Sequence, residues 1–135
     1  MATFQKFNKF VQDVSQKVHN LSSDTLTIGL SDVAPVATNS VLADLTPISY
    51  TNLSARVPTI TSCVQTSGTL KLILADLVLT ASGTVAQFRY VFLYNATATG
   101  NPLICWADYA SEVNLGGGDT FTLDFDNTNG VLQIA

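Results

Sequence analysis

Residues 85–94 read VAQFRYVFLY, and the fold turns on how this stretch is interpreted. Phe88, Tyr90, Phe92 and Tyr94 fall on one side of a two-residue repeat, with Val85, Gln87, Arg89, Val91 and Leu93 on the other. That is the period of a β-strand, and the aromatic and β-branched residues on both sides suit a central one. Upstream, Leu70 to Thr80 (LKLILADLVLT) is apolar on both faces, with an expected irregularity at Ala75 and Asp76, and it ends at the turn signal Ala81-Ser82-Gly83. Downstream lie Leu103 to Ala110 (LICWADYA), the bend Gly116-Gly117-Gly118, and Thr120 to Phe125, where Phe121, Leu123 and Phe125 alternate with polar residues. Asp126 to Gly130 then supplies a turn whose Asn-Gly is a hairpin cue, before Val131 to Ala135 closes the chain. Nearer the start, Leu26, Ile28 and Leu30 alternate with Thr25, Thr27 and Gly29 as in a half-buried strand.

About five or six such strands at roughly ten-residue spacing predict a mainly β fold: an antiparallel β-sandwich or barrel-like domain. One N-terminal α-helix precedes it. Phe4, Phe7, Val11, Val14, Val18 and Leu21 recur at spacings of 3, 4, 3, 4 and 3, a narrow apolar stripe with polar residues between and Phe10 widening it at one point. Residues 1–21 are therefore read as an amphipathic helix and 22–135 as a single β-rich domain. A helix of that length is marginal alone, so its stripe must dock on its own body, on a neighbouring copy or on another protein. Docking at home is the first expectation, and the six stripe residues are the candidate partner or oligomer interface. Residues 32–62, with Pro35, Pro47 and Pro58 among small and β-branched residues, are expected to be an extended arm or long loop, with Val57 to Val64 as an edge strand.

With 135 residues, one compact domain with a core of its own is expected. The longest apolar run, Leu72 to Leu79, is interrupted by Asp76 and is far short of the roughly 20 residues that a membrane helix needs. The first twenty residues lack the continuous apolar block of an export signal. The net charge is −4, and five acids fall between Asp108 and Asp126 without an intervening base. Such a surface repels phosphate, so no nucleic-acid partner is expected. Cys63 and Cys105 lack metal-ligand spacing, and with His19 the lone histidine, neither a metal nor another cofactor is expected and the thiols are read as free.

No catalytic set can be assembled from one histidine and one glutamate, and the chain is read as a non-enzyme. His19 sits where the helix should end, a place for satisfying the last carbonyls. Asp124, Asp126, Asn127 and Asn129 resemble a calcium loop in composition, but glycine and glutamate are absent from positions six and twelve, and a turn explains the same residues. The aromatics Phe88, Tyr90, Phe92 and Tyr94, with Trp106 and Tyr109, are read as core first and as a sugar-binding or interface platform second.

Two stretches carry a resemblance. Val18 to Ser49 (VHNLSSDTLTIGLSDVAPVATNSVLADLTPIS) and Phe88 to Ala135 are similar to small virion structural proteins of tailed bacteriophages and prophages. The matching elements are Phe92-Leu93-Tyr94-Asn95, Trp106-Ala107-Asp108-Tyr109, and the run Phe121 to Leu132 (FTLDFDNTNGVL). Residues 50–65 depart from the glycine-rich pattern of that group. The resemblance implies a capsid decoration or cement protein in the phage head, made in the bacterial cytoplasm. Its partners would be the major capsid protein and copies of itself, the oligomer expected being a trimer. The alternative is a tail, baseplate or fibre-associated module that binds glycans. The family supplies no catalytic residues.

Overall fold

The computed structural model describes residues 3–135; Met1 and Ala2, which the expected N-terminal segment includes, lie outside them. The fold is mainly β and antiparallel, with a sandwich-like arrangement of open sheets and no closed barrel among the described residues. The elements run β1 (Gln5–Lys6), α1 (Asn8–Ser15), β2 (Leu26–Ser31), β3 (Ile60–Thr66), β4 (Thr69–Leu74), β5 (Leu77–Thr80), β6 (Phe88–Asn95), β7 (Leu103–Val113), β8 (Thr120–Leu123) and β9 (Leu132–Ile134). One sheet has the order β1-β7-β6-β2, a second β3-β4-β9, and a third is the pair β5-β8.

The alternation in β6 builds two cores from one strand. Ile28 pairs with Leu93 and Leu30 with Val91, and these side chains join Leu72, Leu74, Leu79, Leu123 and Leu132 of the other sheets in the main core. On the opposite face Phe92 pairs with Trp106, and with Phe7, Tyr94 and Leu103 it forms a second apolar cluster. The arm covers that cluster through Ala37, Leu42 and Leu45. Strand β2 is consequently buried on both faces, not half-buried as its Thr27 and Gly29 suggested. Gly29 lies against the Phe92 ring so closely that any Cβ there would overlap it.

Phe88 leaves the expected aromatic row. It pairs with Val113 while Tyr90 pairs with Asp108, so β7 carries a bulge between those partners, with Ala110 at φ +65°. The bulge shifts Phe88 into the main core beside Val91 and Leu93. The irregularity at Ala75 and Asp76 is real: β4 stops at Leu74, the Ala75 N–H donates to the Thr59 carbonyl (2.9 Å), and the Asp76 carboxylate accepts the Phe125 N–H (2.9 Å). The Asn-Gly at 129–130 does not make a hairpin, because β8 pairs with β5 and β9 with β4. Gly130 is required there for a different reason. Its φ is +82°, and a Cβ would stand 2.5 Å from the Leu72 carbonyl oxygen.

The N-terminal helix is shorter than the stripe predicts. Residues 5–6 are drawn into β1 by pairing with Trp106 and Cys105 on the edge of β7, and α1 begins only after Phe7. The helix closes when Gln16 donates to the Gln12 carbonyl and Val18 to the Asp13 carbonyl, with Lys17 in the left-handed region at φ +64°. An Asn20–Asp24 turn follows, held by the Asn20 N–H on Asp24 Oδ2 (2.8 Å). The arm is irregular as expected, with one 3-10 turn at Leu42–Asp44, and its last residues enter edge strand β3. It returns along β2: Ile48 N–H donates to the Leu30 carbonyl (3.0 Å), Leu30 N–H to Tyr50 Oη (3.1 Å) and Ile28 N–H to the Arg56 carbonyl (2.8 Å). The Arg56 guanidinium donates back to the Ile28 carbonyl and lies 3.6 Å over the Tyr50 ring.

Candidate functional site

The six stripe residues do not share one free face. Phe7 is fully buried against Trp106, with ring centroids 4.6 Å apart, and Leu21 lies in the main core. Phe4 is partly buried and meets Phe125 at 5.8 Å. As partner-interface residues Phe7 and Leu21 are therefore corrected: the chain needs both for itself. The helix turns Phe10 inward, only 1% exposed, whereas Val11 is 60% exposed and Val14 and Val18 are half-buried. An unbroken helix would have kept the stripe together; the switch from strand to helix to turn rotates its members apart.

What remains open is a concave strip between the N-terminal segment and the end of β9. Val14 and Val18 line a cavity of about 480 Å³ with Cys63, Leu70 and Ile134. Val11 and Val14 line a smaller one of about 170 Å³ with Lys6 and Ala135. The sequence pattern found three of these residues, but β9 and Cys63 come to them only through the sheet order.

At the rim of the larger cavity is a polar cluster that sequence reasoning missed. Asn95 is fully buried, and its Oδ1 accepts the backbone N–H groups of Thr97 (2.9 Å) and Ala98 (3.1 Å). That fixes the amide, so its Nδ2 donates to Asp24 Oδ2 (2.7 Å) and to His19 Nδ1 (3.1 Å). His19 must then accept at Nδ1 and carry its proton on Nε2, which is buried without a hydrogen-bond partner. Burial pushes the His19 pKa below its ordinary value, against the pull of the Asp13 and Asp24 carboxylates. His19 does not cap the helix, as expected from its position; backbone turns satisfy those carbonyls, and the ring packs on Phe10 at 5.3 Å. The sequence signal was Asn95 followed by Ala96-Thr97, a side chain able to accept its own downstream N–H groups.

The other candidates resolve into structure. Asp126 spends its carboxylate on the N–H groups of Thr128 and Asn129 (both 2.8 Å) and on the Asn129 amide (3.1 Å), which hold its pKa below the usual carboxylate range. Cys63 and Cys105 are free thiols, and burial drives the Cys105 thiol far above its ordinary pKa. Phe92, Tyr94 and Trp106 lie beneath the arm and offer no open aromatic platform. Arg89 pairs with Asp108 through two hydrogen bonds (2.8 and 3.1 Å). Among the described residues no group of three or more His, Cys, Asp or Glu side chains converges as metal ligands would, and no helix is long and apolar enough to cross a membrane.

The fold and site thus define an antiparallel β domain with a short N-terminal helix and a self-docked arm. No protein-family model, curated protein or solved structure matches the chain.

Proposed function

We propose that this chain is a non-enzymatic virion structural protein, specifically a capsid decoration or cement protein that bridges major capsid protein subunits and forms a homo-oligomer. The observation that carries the reading is the resemblance of Val18–Ser49 and Phe88–Ala135 to phage virion proteins. The strip of Val11, Val14 and Val18 supports it, because it leaves apolar surface open along a concave groove while the aromatic cluster of Phe92 and Trp106 is covered by the arm. In a shell, each chain would meet a repeated lattice, so modest apolar contacts suffice through multivalency. The acidic surface suits a particle component that must not adsorb nucleic acid. Burial of Phe88, Phe92, Tyr94 and Trp106 takes four of the six aromatic residues out of a glycan-binding platform and leaves Tyr90 and Tyr109 half-buried, which favours the cement reading over the tail module.

The test is co-sedimentation of the full chain with undecorated capsid shells. The wild type is expected to pellet with shells, and Val11→Asp and Val14→Asp to remain in the supernatant with their circular dichroism unchanged. A wild-type chain that ignores shells overturns the cement reading. Normal pelleting of both variants removes the helix strip from it.

A further inference from the structure

Among the described residues, the strand edges other than that of β3 are short, covered or blunted. Strand β1 covers only Cys105 and Trp106 of β7, and the uncovered outer half of β7 carries Asp108, Glu112 and the bulge at Ala110, which blunt it. The arm seals β2, as described above. On β5, Ser54 N–H donates to the Thr80 carbonyl (3.0 Å) and Thr80 N–H to Ser54 Oγ (2.9 Å). Strand β9 has three residues, and Lys6 Nζ donates to its Gln133 carbonyl (2.9 Å). β1 has two residues and β8 four. β3 differs: it is seven residues long, it ends the sheet order β3-β4-β9, and no described segment pairs with its outer side.

The backbone geometry says which groups are free. Ser67 and Gly68 both have positive φ (52° and 84°), the two-residue turn that makes Thr66 and Thr69 a hydrogen-bonded pair. Counting back by twos, Val64 bonds to β4 while Gln65 and Cys63 aim their N–H and C=O groups outward. The register shift near Ile60 confines this regular stretch to Ser62–Thr66. Over Ser62–Thr66 the edge has neither charge nor proline, since residues 57–70 contain no charged side chain, Pro58 precedes the strand and the register shift lies before Ser62. Val64 stands 62% exposed at the centre, on the outer face of the sheet.

We infer that β3 pairs antiparallel with β3 of a second copy of this chain, about a two-fold axis at Val64. Cys63 and Gln65 then exchange backbone hydrogen bonds with Gln65 and Cys63 of the copy, Ser62 faces Thr66, and the two exposed valines cover each other. Charge selects a copy as the occupant. The chain carries −4 overall, yet residues 57–70 bring neutral surface to neutral surface, so a second copy meets no like charge along the edge. Lys71, across from Val64 on β4, donates to the Thr128 carbonyl of its own chain. Lys6 against β9, and the bulge with Asp108 and Glu112 on the outer half of β7, leave β3 without a heterologous edge to pair with, so the contact is isologous and makes a dimer, not the trimer that the resemblance implies. The inference rests on the fold and is independent of the virion reading.

The experiment is size-exclusion with light scattering on the full chain over a dilution series. The expected mass is twice that of the 14.4 kDa chain, falling toward one chain on dilution. Gln65→Pro deletes an outward N–H twice by symmetry and should weaken the pair roughly tenfold or more. Should that variant not fold, a cysteine cross-link decides: V64C in a C63S background is expected to form a covalent dimer on oxidation far faster than Q133C in the same background. Gln133 lies on the same sheet face two strands away. A monomer or trimer mass at high concentration, an unweakened pair in a folded Gln65→Pro, or equal linking of V64C and Q133C each overturns the proposal. Shell binding that fails while the dimer persists overturns the virion reading alone.

Discussion

The amide nitrogen of Asn95 donates to Nδ1 of His19 across 3.1 Å, and two backbone N–H groups on Asn95 Oδ1 prevent that amide from turning over. A protonated His19 would set N–H against N–H, so the folded chain holds the neutral ring.

Acid should therefore loosen this fold before the carboxylates titrate. In the unfolded chain the imidazole has a pKa near 6.5, and in the folded chain it lies lower. Between the two values the unfolded state binds the extra proton, so stability is full above 6.5 and declines as pH falls through that interval. Urea midpoints measured from about pH 7.5 to about pH 5.5 should fall for the wild type and stay flatter for His19→Gln. An equal slope in both would remove His19 as the cause.

Two residues of one sequence stripe should behave oppositely. Phe7 is fully buried on Trp106, and Phe7→Ala is expected to cost about 3–5 kcal/mol and to shift the Trp106 fluorescence. Val11, 60% exposed, should tolerate alanine within about 0.5 kcal/mol. Chemical denaturation of both variants checks the contrast.

Gly29 and Phe92 should prove coupled. Gly29→Ala forces a methyl group into the Phe92 ring and is expected to lose about 1–3 kcal/mol. Phe92→Leu makes room, so the double variant should be more stable than the sum of the two single losses allows. Simple additivity would mean that the ring moves aside freely.

The β class, the break at Ala75 and Asp76 and the irregular arm were legible because each depends on local period or local chemistry. Where the reading failed, the deciding partner was distant in sequence. Gln5 and Lys6 left the helix because an edge of β7, about a hundred residues on, was available to pair with them. Asn129-Gly130 looked like a hairpin turn, yet the glycine answers to the backbone of Leu72, and neighbouring β8 and β9 go to different sheets. Phe88 changed sides because of a bulge in β7 that its own alternation cannot reveal. Of the candidate site, Val11, Val14 and Val18 could be picked out from spacing, whereas Asn95 and the floor supplied by β9 could not.

The return of the arm along β2 has a bearing on growth. An antiparallel domain with two open edges can add strands at both and lengthen into a fibril. Ile48, Tyr50 and Arg56 occupy the far edge of β2 from within the same chain, and Lys6 blocks β9. The outer half of β7 is bulged at Ala110 and carries Asp108 and Glu112, so among the described residues β3 is the single strand-adding valence with neither cover nor charge. Once that single valence is used, assembly by strand addition terminates, and any larger ordered array must be built through side chains.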